Sequence, residues 1–136
     1  MSYAGQMLGS YPGDFTLGAD AGVLARAIEA SGDCAQACAT DNDADLSEPH
    51  LSDMVSCIRL CQHCVDICAA TAAVLSRPAS WDSRVVSPLL EACVAICASC
   101  GAECERHAPM HAHCRVCADA CRRCEQACGE LLKVMQ

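Results

Sequence analysis

Aromatic side chains are scarce in this 136-residue chain: Tyr3, Tyr11, Phe15 and Trp81 are the full set. β-Branched residues are few, alanine is abundant and no stretch alternates with period two, which disfavours sheet and favours helix. Basic charge is also in deficit. The formal net charge of -8 argues against a phosphate-backbone partner, and Arg115, Arg122 and Arg123 alternate with thiols and acids rather than forming a patch. No run of eighteen apolar residues occurs; segments 67–76 and 92–102 are too short to span a bilayer. The first twenty residues lack the basic and apolar regions of an export signal. These absences predict one soluble, cytoplasmic domain with no nucleic-acid or membrane partner.

The chain is rich in cysteine, with 15 thiols. Thirteen of them form three runs spaced alternately three and four residues apart: Cys57, Cys61, Cys64, Cys68; Cys93, Cys97, Cys100, Cys104; and Cys114, Cys117, Cys121, Cys124, Cys128. Cys34 and Cys38 form a shorter pair. Three-four spacing puts residues on one face of an α-helix. Such stripes normally carry Leu, Ile or Val and make the seam between packed helices. Here the seam is sulfur. Disulfides fit poorly, because Cβ atoms at i+3 or i+4 lie about 5 to 6 Å apart whereas a disulfide wants roughly 3.8 Å. A reducing cytosol points the same way, toward metal binding.

Residues 1–18 hold four glycines and Pro12, and read as an irregular arm with room for one helical turn; residues 19–136 read as the bundle domain. Helix is expected over about 20–40, with the polar run 41–45 as a loop. Ser47 as N-cap and Pro49 in the first turn would start a second helix that stops before Pro78. A third begins either within 79–87 or at Pro88 after a Ser87 cap, and ends near His107 before Pro109. The fourth runs to about Val134. The fold class is therefore all-α: an antiparallel up-down-up-down four-helix bundle with a cysteine-lined core.

Antiparallel topology decides which flanks of the stripes meet. One end collects Cys38, His50, Met54, Cys104, His107, Met110 and Cys114, with His111 and His113 nearby; the other collects Val23, Ala27, Thr71, Leu75, Val86, Leu90, Leu131 and Met135. Metal is expected to enter at the His/Met end and move down the thiols. His63 lies off the seam and reads as a surface residue. Excess thiolate with thioether and imidazole selects a soft ion, Cu(I), which accepts low coordination numbers where Zn(II) requires four ligands. The repeated CxxC steps lack the turns of zinc knuckles and the βαβ context of redox motifs. No Glu-x-x-His supports a di-iron site.

The CxxxC steps, from Cys34/Cys38 through Cys124/Cys128, and the His-rich link before the last helix resemble the bacterial four-helix-bundle copper storage proteins, in particular the cytosolic branch. The resemblance covers about residues 20–134. It implies a homotetramer, many Cu(I) ions held by the fifteen cysteines, and a mouth where His107, Met110, His111 and His113 meet copper delivered by a cytosolic chaperone or chelator. It implies storage without catalytic turnover. The alternative is a zinc- or redox-buffering thiol protein with a metallothionein-like role. A helix 1 with only two cysteines departs from the pattern and leaves one wall of the column partly free of thiols.

Overall fold

The computed structural model describes residues 2–15 and 20–135, so the expected boundary between arm and bundle at 18/19 lies outside the described residues. Four long helices, α2 (Ala21–Leu46), α3 (Val55–Leu75), α4 (Ser83–His107) and α5 (Ala112–Met135), form the bundle, preceded by the short α1 (Tyr3–Gly9). No strand occurs among the described residues. Each long helix packs on the next and α5 returns against α2, which makes a four-sided, up-down-up-down arrangement.

The expected arm contains two turns of helix. Ser2 Oγ caps α1 by accepting from the Gly5 N–H at 3.1 Å, and its hydroxyl donates to Glu29 on α2. Leu8 packs into the core from this helix. Gly13 has φ +123°, a conformation side chains disfavour, so the Pro12–Gly13 turn depends on glycine.

Two of the expected boundaries move, and one left open is decided. The second helix of the chain, α2, continues through the polar run to Leu46 instead of stopping near Thr40. Asp41 and Asp45 face inward and are buried, while Asn42 Nδ2 donates to the Ile58 carbonyl at 2.8 Å. These tertiary partners offset the weak helix propensity of the run. Ser47 is consequently the C-cap of α2, not the N-cap of α3: its N–H donates to the Ala44 carbonyl, and a 3₁₀ turn over Leu51–Met54 leads into α3. Of the two possible starts for α4, the earlier is adopted. Asp82 caps it by accepting from the Arg84 N–H at 2.9 Å, and Pro88 sits inside the helix in its second turn.

The segment 51–75 and Ser83–His107 reach the length and mean hydropathy of membrane-crossing helices, 1.4 and 1.8, although neither contains an unbroken run of eighteen apolar residues. Cysteine and alanine raise those averages. The thiol face of each is buried against the other helices, and charged residues such as Arg59 and Glu91 lie on the outside.

Gly101 explains how α4 and α5 come so close. A Cβ there would lie 3.3 Å from Cys121 Cβ and 3.2 Å from Arg122 Nε. The loss of helix propensity at glycine is offset by this close approach. Gly101→Val should therefore destabilise the metal-free protein by roughly 1 to 3 kcal/mol through overpacking, read as a lower urea midpoint at unchanged slope.

Candidate metal centre

All fifteen cysteines are free thiols and all are buried, none more than 1% exposed. Four helical stripes converge on one axis because each helix turns its three-four face inward. From α2 come Ala27, Ala30, Cys34 and Cys38; the other three helices supply the four, four and five thiols of the remaining stripes. The sulfurs form a continuous ladder. At its deep end Cys93 lies 3.8 Å from Cys128 and 3.7 Å from Cys124. Cys68 then stands 3.8 Å from Cys93 and 3.5 Å from Cys97. Cys34 bridges onward to Cys64 at 3.7 Å and to Cys121 at 3.8 Å. Cys38 follows, 3.4 Å from Cys117, with Cys61 and Cys100 3.7 Å apart beside them.

These sulfurs cluster into rungs able to hold metal: Cys34, Cys68, Cys97 and Cys124; Cys34, Cys38, Cys64 and Cys121; Cys38, Cys61, Cys100 and Cys117; and Cys93, Cys124 and Cys128. In each, the donor atoms lie within 4.8 Å of one another. The deep end is stopped by Leu24, Leu75, Val86, Leu90 and Leu131, all buried, with Ala27 and Thr71 beside the last thiols. The expected apolar end is present, joined by Leu24 and by Trp81, whose Nε1–H donates to the Val74 carbonyl at 3.3 Å.

The opposite end differs from the expected one in a specific respect: carboxylates line it. Continuing the α2 stripe past Cys34 and Cys38 at the same spacing reaches Asp41 and Asp45, 2% and 0% exposed. Asp41 faces two ways. Its Oδ2 accepts from Cys61 at 3.4 Å, Cys104 at 3.7 Å and Cys57 at 3.8 Å, and forms a mixed rung with them. Its Oδ1 lies 2.5 Å from His113 Nδ1. Asp45 Oδ1 lies 3.7 Å from Cys114 Sγ and 3.5 Å from His113 Nδ1. A loop over 41–45, as the polar composition predicts, leaves both aspartates outside the expected ligand set. The signal was available in the uninterrupted spacing 34, 38, 41, 45.

Burial sets the electrostatics of this neck. It raises the Asp41 carboxyl above its ordinary value, against the opposing hydrogen bond from His113. It raises Asp45 further, to about 8, helped by the nearby Cys57 and Asp41. Burial pulls His113 downward, but hydrogen bonds to Asp41 and Glu48 outweigh it and leave the imidazole raised. The Cys114 thiol is pushed up, first by burial and then by the adjacent aspartates.

Above the neck, the three expected histidines form a file. Ring centroids of His107 and His111 are 6.3 Å apart, and those of His111 and His113 5.5 Å. Glu48 reaches two of them, 3.4 Å from His111 Nδ1 and 3.0 Å from His113 Nε2. His107 is nearly buried, its Nε2 3.5 Å from Glu103. A cavity of about 230 Å³ is lined by His50, Met54, His107, Met110 and His111 with Glu48 and Asp53. Met54 is buried at its base, whereas Met110 is 72% exposed. His63 is exposed and lies beside a groove between α2 and α3, away from the thiols.

Comparison with known proteins agrees with this geometry. The chain is similar, over almost its whole length, to Ccsp, the copper storage protein of Streptomyces lividans, solved loaded with 10 copper equivalents: 53% identity, TM-score 0.91, 96% of this chain and 98% of the other. A structure of copper loading to a cytosolic copper storage protein from the same organism, with five coppers, gives 57% identity and a TM-score of 0.80 over 82% of this chain and 92% of that one. The uncharacterized cysteine-rich protein YhjQ of Bacillus subtilis is 37% identical over 104 residues, 76% of this chain and 91% of its own length. A sulfur-lined four-helix column and the match of residues 21–133 to the family model for copper storage proteins lead to one conclusion: the chain belongs to the copper storage protein family.

Proposed function

We propose that this protein stores copper in the cytoplasm as Cu(I), using the fifteen core cysteines as ligands, with entry at the His/Met-lined end and no catalytic turnover. The single observation that carries the reading is the continuous ladder of buried sulfurs. Neighbours stand 3.4 to 4.0 Å apart. An ion bonded to two sulfurs at about 2.3 Å needs them roughly 4.0 Å apart at a trigonal angle and about 4.6 Å apart when linear. Small rotamer changes therefore suffice to bridge each gap, and the soft donor set favours Cu(I).

Loading is electrostatically neutral in this scheme. Protonated thiols behave as small hydrophobes, so the bundle forms without metal. Each Cu(I) that displaces one thiol proton leaves the core uncharged, whereas isolated two-thiolate sites would bury a negative charge each. Capacity near one ion per sulfur follows. Copper handed over by a chaperone or chelator meets Met110, His107 and His111 at the cavity. It passes His113, whose Nδ1 is 3.6 Å from Cys114 Sγ, and then reaches the ladder. The cytosolic setting of the Streptomyces relative supports the same location here, and the family resemblance supports a homotetramer.

Titration of reduced, metal-free protein with Cu(I) against a competing chelator tests this. Uptake should continue to about fifteen ions per chain, one per thiol. A plateau at one or two ions would end the storage reading.

A further inference from the structure

The amino-terminal segment carries no charged side chain before Asp14, in a chain whose formal net charge is -8. Its helix α1 has a finished inner face. Leu8 packs into the core, and Phe15, past the Pro12–Gly13 turn, packs against it while meeting Tyr11 edge-on with ring centroids 5.4 Å apart. The outer face is apolar as well. Tyr3 and Met7, four residues apart and therefore neighbours on one side of the helix, are 85% and 67% exposed. Of the other large apolar side chains that lie exposed among the described residues, all except Met110 at the mouth have a charged residue within two positions in the chain. We propose that the α1 face bearing Tyr3 and Met7 is a contact surface for a second copy of this chain, which meets it with the same face across a twofold axis.

Charge selects that occupant. Two copies that each carry a net charge of -8 repel where their acidic surfaces approach, and on this face they meet no like charge. Glu29, the carboxylate that Ser2 binds, lies 4.0 Å from the Arg123 guanidinium and is matched within the chain. A strongly acidic or basic partner finds nothing on α1 to pair with. Tyr and Met are also the kind of residue that interface centres favour, whereas Asp, Glu and Lys are depleted there.

Shape points the same way. Beside the helix lies a cavity of about 300 Å³ lined by Tyr3, Ala4, Met7 and Leu8, by Ile28 of α2 and by Ser76 at the end of α3. The projecting ring of Tyr3 and the hollow at its foot thus belong to one patch. A twofold contact requires this self-complementarity, because each copy offers its ring to the hollow of the other. The contact rests on the homotetramer reading above, since a closed tetramer of dihedral symmetry needs at least two different twofold contacts and the α1 face supplies one.

Light scattering coupled to size-exclusion chromatography, on the full-length, reduced, metal-free chain, tests the contact. Met7→Glu and Met7→Lys are each expected to lower the particle mass about twofold at a concentration where the parent is assembled. An equimolar mixture of the two should regain the parent mass, because opposite charges then face each other across the axis. Tyr3→Glu should act in the same direction as Met7→Glu, and circular dichroism confirms that each variant keeps its helices. A tetrameric parent whose mass none of these variants changes overturns the α1 contact and leaves the tetramer standing. Variants that dissociate but do not recover on mixing rule out the face-to-face arrangement. A monomeric parent ends both readings and leaves the face to another occupant. No copper is present, so none of these results bears on storage.

Discussion

With Cys38, Cys61, Cys100 and Cys117 all replaced by alanine, rapid Cu(I) uptake is expected to fall from about fifteen ions to about three, one for each thiol left on the mouth side. Those four form the rung that joins the two parts of the ladder. Above them remain Cys57, Cys104 and Cys114; below them remain eight thiols, from Cys34 and Cys64 down to Cys128. If the deep end is sealed by Leu75, Leu90 and Leu131, the eight lower thiols become unreachable although their own geometry is intact. Removing Cys93, Cys124 and Cys128 instead should lower capacity by only about three. Stopped-flow loading followed by metal analysis separates these outcomes. Equal losses in the two variants would mean that copper does not enter from the histidine end. Each alanine removes a small buried group and costs on the order of 1 kcal/mol, so helicity is checked first, and the Cys38/Cys100 double replacement serves if the quadruple variant does not fold.

The column was legible before the fold because its period is a local property. Residues such as Cys57, Cys61, Cys64 and Cys68 announce one helical face regardless of what packs against it. The closing apolar end was legible for the same reason. The neck was not. Local propensity breaks the helix in the aspartate-rich run after Thr40, and only contacts from distant elements reverse that preference. Asp41 needs Cys57 and Cys61 of α3, Cys104 of α4 and His113 of α5 around its two oxygens before an inward orientation makes sense. The missing thiols of the first long helix have a similar explanation. Its stripe runs from alanine through two cysteines to two carboxylates, so one helix contributes packing, ladder and neck in succession.

The metal-free protein should lose stability as pH rises from about 5 to about 8, and Asp45→Asn should remove much of that slope. Burial holds the Asp45 carboxyl up to about 8 in the folded protein, against 3.8 as its ordinary value. The native state therefore keeps a proton that the unfolded chain releases above about pH 4. The resulting stability is complete below the unfolded value and is lost as pH climbs through the folded one. At up to about 1.4 kcal/mol per pH unit across that window, the loss reaches several kcal/mol. Asp41 is raised in the same direction, first by burial, and adds to the decline. His113 is also raised, so the stabilisation from its charged form is present below its unfolded value near 6.5 and disappears above the raised one. All three neck groups thus act with the same sign. Urea unfolding of the reduced apoprotein should give midpoints that fall steadily toward pH 8, with Asp45→Asn nearly equal to the parent at the acidic limit and more stable than it at the alkaline end. A parent profile that is flat, or that rises with pH, would show that the neck carboxylates are ionised and compensated in the folded chain.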